Sequence, residues 1–228
     1  MNLVFASNNA HKLAEVREIM PAGVRVLSLK EIGFEAEIEE TGTTLEENSM
    51  IKARAVANFI KEKGLESESK SAKLVTTEID GVFADDTGLE IDALDGKPGV
   101  YTARWYSQDD ENERTKAKSE SEIFAANRAK ALRELYGKSE RGAQFRTVIT
   151  VIMVNGDRSV AGVEDVWQVE GVVRGQIARK EYGVGGFGYD PIFIPEGYDK
   201  TFGELPAEIK NSISHRARAL EALVKKIK

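Results

Sequence analysis

The sequence predicts an α/β fold, and two separate parts of the chain carry that prediction. Near the N-terminus, the apolar run at residues 3–6 precedes a polar loop and then apolar residues at helical spacing, which is typical of a strand followed by a helix. In the middle, residues 145–154 give the strongest strand signal, and residues 166–173 predict a further strand. An Asn-Gly pair at 155–156 is a hairpin turn signal, after which residues 159–163 could return as a strand before the one at 166–173. We therefore expect an α/β N-terminal part followed by an antiparallel meander.

Composition limits the class of protein. The chain has 228 residues, 41% apolar and 31% charged, which suits a globular protein of one large domain or two lobes. It has no cysteine, which excludes disulfides, thiolate metal sites and cysteine nucleophiles. The net charge of −6 argues against a general nucleic-acid binder. No apolar run is long enough to span a membrane and the N-terminus lacks signal-peptide features, so we expect a cytoplasmic protein.

The loop at residues 7–12 is the first candidate binding element. It leads into the first helix, whose free N–H groups and positive dipole end could hold an anion. Ser7 and Asn9 could add hydrogen bonds, and Lys12 could add a charge. The alternative is plain helix capping beside a solvated lysine.

A second strand is predicted at residues 24–29, followed by a turn at 30–34. Thr44 and Glu47 then form a capping-box pattern that predicts the start of a helix. Glu40, just before the glycine turn that precedes this helix, could point inward or could be a surface acid. Residues 61–73 are charged and poor in apolar residues, which indicates a surface loop, and residues 74–76 could form a short strand.

Residues 83–94 hold the most informative pair of acids. Apolar runs on both sides predict two strands, and Asp85, Asp86, Thr87 and Gly88 lie between them. Apolar flanks would carry the two carboxylates into the fold, where an unpaired charge is very costly. A divalent cation would explain them, and so would an ordinary polar turn.

The C-terminal half contains a third predicted helix, ending at Gly137, and then a glycine-rich loop at residues 183–188. Phe187 and Tyr189 in this region could stack on a base or could fill the core. A last helix follows Ser214, which places His215 and Arg216 in its first turn, where positive charge opposes the helix dipole. Arg216 could donate to a base or phosphate, or could be exposed.

Six segments together resemble the inosine triphosphate pyrophosphatase family, from residue 3 to about residue 224. The joint order and spacing of these segments is highly specific: residues 7–12, 40–53, 84–89, 96–104, 186–191 and 214–216. The resemblance implies an elongated two-lobed α/β fold, with a long mixed β-sheet flanked by helices and a central active-site cleft. It implies a single nucleoside triphosphate pyrophosphatase domain over residues 1–228 that forms a homodimer.

The resemblance also implies an activity. The enzyme would hydrolyse non-standard purine nucleoside triphosphates (ITP, dITP and XTP) to the monophosphate and pyrophosphate, with Mg²⁺ as cofactor and water attacking the α-phosphorus. Neither a nucleic acid nor a membrane is an expected partner.

By resemblance, the site residues fall into three groups. Three acids would bind the metal: Glu40, Asp85 and Asp86. The triphosphate would be held by the first loop and a lysine of the second helix: Ser7, Asn8, Asn9, Ala10, His11, Lys12 and Lys52. The remaining contacts would be made to the base and the neighbouring phosphate: Thr87, Phe187, Gly188, Tyr189, Asp190, Lys210, His215 and Arg216. Asp86 resembles the residue that accepts the proton of the attacking water.

Two rival functions stay open on the sequence. One is a diphosphatase for modified pyrimidine nucleotides, and the other is a non-catalytic nucleotide- or RNA-binding module built on Phe187, Tyr189 and Arg216. The acid set argues against the second, since a polyanion binder would not favour it without a metal. The sequence departs from the family pattern at residues 61–80 and 107–122.

Overall fold

The computed structural model describes residues 1–66, 79–108, 119–154 and 165–227. The hairpin turn predicted at 155–156, the return strand at 159–163 and the short strand at 74–76 lie outside these residues. The surface loop predicted at 61–73 is wrong for residues 61–66, because the second helix continues to Glu66, and its remainder lies outside the described residues. Lysine and glutamate are good helix formers, so a charged segment can extend a helix into solvent. None of the helices within the described residues combines the length and apolar character that crossing a bilayer demands.

The described residues form seven strands and five α-helices. The strands are β1 Asn2–Phe5, β2 Arg25–Leu27, β3 Gly81–Ile91, β4 Pro98–Gly99, β5 Gly142–Met153, β6 Val166–Ile177 and β7 Phe193–Pro195. The helices are α1 Ala10–Ile19, α2 Leu45–Glu66, α3 Glu120–Glu134, α4 Ala207–Ile213 and α5 His215–Ile227. A short 3-10 helix, Lys30–Ile32, occupies the turn predicted after β2.

The strands form one mixed sheet in the order β2-β1-β3-β5-β6-β7, and β4 pairs with β3. Strand β1 is parallel to both β2 and β3, whereas β3–β4 and β6–β7 are antiparallel. The N–H of Met153 donates to the carbonyl of Asp165, and that of Ile177 donates to the carbonyl of Arg141, so β5 and β6 are also antiparallel. The predicted α/β start and the antiparallel meander are both confirmed.

The chain divides into two compact units. The first unit contains residues 1–86, 147–170 and 217–228. Its sheet has helices on both faces, because side chains alternate along each strand. Val4, Val82 and Ala84 pack with the apolar side of α2. Leu3, Phe5 and Phe83 point the other way and pack with residues of α1 and α5.

The second unit contains residues 87–146 and 171–216. Its core joins the end of β3, the start of β5 and the end of β6 to α3, which contributes Ala131 and Leu135. Trp105, Phe193 and Phe202 fill the same core. A left-handed Gly137 with φ of 77° follows the end of α3, as predicted.

Two local predictions need correction. Residues 81–91 form one continuous strand, so the two strands predicted on either side of a polar turn at Asp85 and Asp86 are wrong. Only half of the predicted capping box at α2 forms. The Thr44 hydroxyl accepts from the N–H of Glu47 at 3.1 Å, but the Glu47 carboxylate accepts from the N–H of Thr43 at 2.6 Å.

Candidate active site

The alternation of β3 directs the two adjacent acids to opposite faces of the sheet. Asp85 continues the face of Phe83, towards α1, and accepts from the Lys12 ammonium at 2.8 Å. Asp86 continues the face of Ala84, towards α2, and accepts from the Lys52 ammonium at 2.9 Å. Each buried carboxylate therefore meets a lysine from the helix on its own side, which offsets the cost of burying the charge.

Lys52 also binds Glu40, at 2.8 Å, so one ammonium group joins two carboxylates. The oxygens of Glu40 and Asp86 are consequently within two hydrogen-bond lengths of each other. We call the five side chains of this region the acid–lysine cluster: Lys12, Glu40, Lys52, Asp85 and Asp86.

Burial and charge act together on the pKa values of this cluster. Asp86 is 7% exposed, and burial raises the pKa of its carboxyl group, although Lys52 and Lys12 pull in the opposite direction. Burial alone would lower the pKa of Lys52, but the charges of Asp86 and Glu40 outweigh it and raise the pKa. Lys52 therefore stays cationic at neutral pH, while Asp86 is a carboxylate that the fold makes more basic than usual.

One oxygen of Asp86 is left over. Oδ2 is buried and accepts no hydrogen bond from the described residues, whereas Oδ1 binds Lys52. A buried acceptor without a donor is costly, and a cation or a water molecule would satisfy it. Within the described ranges, no three acidic or histidine side chains are grouped closely enough to hold a metal ion. Glu40, Asp85 and Asp86 are instead occupied by lysines, but their hard oxygen atoms are the type that Mg²⁺ prefers.

Asn48 fixes the loop that carries Glu40. Its Oδ1 accepts from the N–H of Gly42 at 2.8 Å, and Asn48 itself is fully buried. A Cβ at Gly42 would come within 2.6 Å of that Oδ1, so only glycine permits this approach. Sequence reasoning assigned Asn48 no role. It lies one helical turn before Lys52, so it can hold the loop of Glu40 beside that lysine.

The first loop is both a helix cap and part of the cluster. Asn9 caps α1 by accepting from the N–H of Lys12 at 2.9 Å, and the Ser7 hydroxyl accepts from the N–H of Asn9 at 3.2 Å. The Lys12 side chain is 17% exposed and pairs with Asp85, so it is not simply a solvated lysine. The other predicted phosphate-binding residues of the loop are exposed: Asn8, Ala10 and His11.

The second unit contains a separate group of buried basic side chains beside Phe187. Lys210 is 4% exposed and donates to Asp190 at 2.6 Å, and its Nζ lies 4.7 Å from the centre of the Phe187 ring. Arg216 is 1% exposed, and its Cζ lies 5.8 Å from the same ring. We call this group, with His215 and Thr87, the aromatic–basic cluster. The alternative that Arg216 is simply exposed is wrong.

Neighbouring residues hold this cluster in place. Asp190 also accepts from the N–H of Phe187 at 2.8 Å, so one carboxylate orients both the ring's backbone and Lys210. His215 stacks on Phe145 with centroids 4.7 Å apart. Arg216 Nη2 donates to the Thr87 hydroxyl at 3.5 Å. The guanidinium and ammonium groups face an aromatic ring that is only partly buried, which suits recognition of a flat, electron-rich ligand.

Tyr189 differs from Phe187. It is 3% exposed, it belongs to the core of the second unit, and its hydroxyl donates to the carbonyl of Thr102 at 2.9 Å. Burial raises the pKa of this hydroxyl, which keeps it protonated as the donor. Tyr189 therefore follows the alternative interpretation, in which the aromatic side chain fills the core. The reason is long-range packing, since Tyr189 shares its core cluster with Phe193 of β7 and with Phe202, which no local pattern reveals.

Comparison with known proteins gives consistent matches over the full length. The model of the Ham1 family matches residues 3–226. The dITP/XTP pyrophosphatase of Bacillus subtilis is 42% identical over 225 residues, covering 97% of this chain and 94% of the relative. That of Flavobacterium johnsoniae is 39% identical over 225 residues, covering 98% and 96%. The structure of the Staphylococcus aureus Ham1 protein superposes with a TM-score of 0.70 at 34% identity and covers 100% of both chains.

Proposed function

We propose, because this chain belongs to the Ham1 family, that it hydrolyses non-standard purine nucleoside triphosphates such as dITP, ITP and XTP. The products are the nucleoside monophosphate and pyrophosphate, and in this proposal water attacks the α-phosphorus, so the monophosphate receives the oxygen of water. The substrate named for the relatives supports this choice of nucleotide. The observation that carries the chemistry is the buried Asp86 carboxylate, with one oxygen on Lys52 and the other without a donor among the described residues.

Asp86 is the general base in this proposal. Its pKa is raised by burial, so its carboxylate is a better proton acceptor than that of an ordinary aspartate. The free Oδ2 is the atom that would accept the proton from water. As the oxygen of water bonds to the α-phosphorus, the bond from that phosphorus to the bridging oxygen of pyrophosphate breaks.

A divalent cation fits the same acids. Glu40 and Asp86 would hold Mg²⁺, which when bound neutralises the charge of the triphosphate, and Asp85, on the opposite face of the strand, would support them through Lys12. The closeness of the Glu40 and Asp86 carboxylates, which both contact the Lys52 ammonium, supports this assignment.

The two lysines stabilise the departing pyrophosphate. Lys52 is held in the cationic form by Asp86 and Glu40, and Lys12 is paired with Asp85. When a triphosphate binds, its oxygens offer these ammonium groups an alternative partner of higher charge. Fixed cations next to a leaving group lower the energy of the transition state because the developing charge meets them without reorganisation.

The aromatic–basic cluster selects the base. Hypoxanthine and xanthine carry a 6-oxo acceptor, to which Arg216 or His215 can donate, and the Phe187 ring can stack on the purine. Adenine has an amino donor at the same position, so buried donors would face a donor and lose their hydrogen bonds. The burial of Arg216, at 1% exposure, supports a large penalty for such a mismatch.

Product analysis with labelled water tests this function. Incubation of the protein with XTP or dITP and Mg²⁺ in H₂¹⁸O should yield pyrophosphate and a monophosphate that carries the label. Label in the pyrophosphate instead of the monophosphate, or release of inorganic phosphate and a diphosphate, would refute attack at the α-phosphorus. Equal kcat/KM for XTP, ATP, dTTP and UTP would refute the purine selectivity and favour the broader pyrimidine alternative.

Three finer expectations belong to the same proposal: Mg²⁺ as the preferred cation, a homodimer and a cytoplasmic location. The absence of cysteine from the chain is compatible with a reducing compartment. Light scattering coupled to size-exclusion chromatography measures the oligomeric state directly. A mass of about 25 kDa, that of one chain, would contradict the homodimer.

A further inference from the structure

Two side chains of α3 contact the loop that carries Phe187. Phe124 and Arg128 are four residues apart, so they lie on the same face of the helix, one turn from each other. The Phe124 ring lies 6.1 Å from the Phe187 ring, centre to centre, at an angle of 42°. Arg128 Nη1 donates to the carbonyl oxygen of Gly188 at 2.9 Å.

Arg128 also contacts the chain just before the glycine-rich loop of residues 183–188. Its Nε lies 3.0 Å from Glu181 Oε1, which makes an ion pair although Nε forms no hydrogen bond with the described residues, and the Arg128 side chain is only 15% exposed. One guanidinium group therefore contacts two points of the chain, seven residues apart: Glu181 before the glycine-rich loop, by an ion pair, and Gly188 at the end of that loop, by a hydrogen bond. A planar guanidinium suits such a double contact, which a lysine could make only in part.

The glycine-rich loop between Glu181 and Gly188 has high conformational freedom, so contacts with other residues are needed to restrict it. Gly186 and Gly188 have positive φ values of 69° and 60°, and glycine loses more conformational freedom on folding than other residues. Asp190 fixes the N–H of Phe187 at 2.8 Å. Arg128 fixes the carbonyl of Gly188, the next residue. The backbone of Phe187 is thus held on both sides, and its ring rests near Phe124.

We propose that Phe124 and Arg128 are positioning residues that hold the Phe187 ring in the orientation that receives the nucleobase. Neither residue touches the reacting atoms. Both act by reducing the number of conformations of residues 186–188 in the free protein, so that less order has to be created when the base binds. This inference rests on the proposed function only in naming a base as the ligand.

Arg128→Met removes both polar contacts but keeps most of the aliphatic volume, and Arg128→Lys keeps a single donor. Arg133→Met is the matched control, since Arg133 is an exposed arginine in the last turn of the same helix. Hydrogen–deuterium exchange of the full chain measures the order of residues 183–190 without substrate. Steady-state kinetics with XTP measure KM and kcat.

We expect Arg128→Met to speed exchange in residues 183–190 and to raise KM for XTP about tenfold, with kcat changed by less than about twofold. Arg128→Lys should recover part of the loss, and Arg133→Met should match the wild type. In a Phe187→Ala background, Arg128→Met should add little to KM, because the ring it positions is gone.

Other outcomes would overturn the assignment. Unchanged exchange and unchanged KM in Arg128→Met would show that the loop needs no support from α3. An equal loss in the wild-type and Phe187→Ala backgrounds, with a lower thermal midpoint and no recovery in Arg128→Lys, would show a general structural role. A wild-type protein that hydrolyses no purine triphosphate would refute the proposed function, while the exchange experiment would still decide whether Arg128 orders the loop.

Discussion

Asp86→Asn separates the catalytic and structural roles of the buried acid. The amide has the same shape as the carboxylate, and its oxygen can still accept from Lys52, which lies 2.9 Å from Asp86 Oδ1. Lys52 also keeps Glu40 as a charged partner. The substitution therefore removes the basic atom and the charge without opening a cavity.

The activity should fall by about 10²- to 10⁴-fold, which is the usual contribution of a positioned general base. The free energy of unfolding, in contrast, should increase. Oδ2 is a buried acceptor without a donor among the described residues, a state that costs on the order of 1–3 kcal/mol. The amide nitrogen would be a buried donor in the same place, so that cost remains. The buried charge is removed, however, which should stabilise the fold by about 1 kcal/mol, or roughly 2–4 °C in Tm for a chain of this size.

The sign of the pH dependence follows from the raised pKa. Because folding raises the pKa of Asp86, the folded protein binds a proton at this group more tightly than the unfolded chain does. Protonation of Asp86 therefore stabilises the fold at low pH, and that stabilisation is lost as the pH rises through the folded pKa. The stability difference between Asp86→Asn and wild type should thus be present at pH 7. It should shrink as the pH falls through the pKa of Asp86.

Thermal unfolding and pyrophosphate release from XTP measure the two effects on the same samples. Glu90→Gln is the matched control: it makes the same acid-to-amide change in the same strand, at a residue that binds Gln144. Activity within tenfold of wild type would remove Asp86 as the base. A Tm several degrees lower would refute the predicted stabilisation and would show that the Asp86–Lys52 ion pair outweighs the cost of burying the charge.

Three other results are expected. Phe187→Ala should raise the Kd for XTP by about 10- to 100-fold through loss of base stacking, and unchanged affinity would exclude that role. The acid limb of kcat/KM should lie above the pKa of about 3.9 of an ordinary aspartate, since burial raises the pKa of Asp86; a limb at or below that value would contradict the assignment. Chelation of divalent cations should abolish XTP hydrolysis and added Mg²⁺ should restore it, whereas activity that survives chelation would argue against a metal at Glu40 and Asp86.

Local sequence patterns were sufficient for much of the fold. The spacing of apolar residues identified α1, α2 and the C-terminal helix, and helix capping was one of the two interpretations of the loop before α1, where Asn9 is the cap. These features depend on neighbours within one or two turns. The strand signal at residues 145–154 and the following strand were found for the same reason. The charged end of α2 was missed, since solvated lysines and glutamates look alike in a helix and in a loop.

The partners of the candidate site residues could not be predicted from local sequence patterns. Adjacent residues in a strand point to opposite faces, so the sequence already separates Asp85 from Asp86 once the strand is known. It does not reveal that α1 supplies Lys12 to one face and α2 supplies Lys52 to the other. Those partners depend on which helix packs on which side of the sheet, a property of the whole first unit.

The sequence by itself determined the element types, the presence of buried acids in an apolar setting and the family resemblance through six short segments. Only the tertiary structure decided that Asp85 and Asp86 lie within a strand rather than a turn, that Arg216 is buried and that Tyr189 fills the core. Burial is a sum over residues distant in the chain, whereas secondary structure is dictated largely by near neighbours. Long-range packing therefore sets the partner, exposure and pKa of each candidate residue.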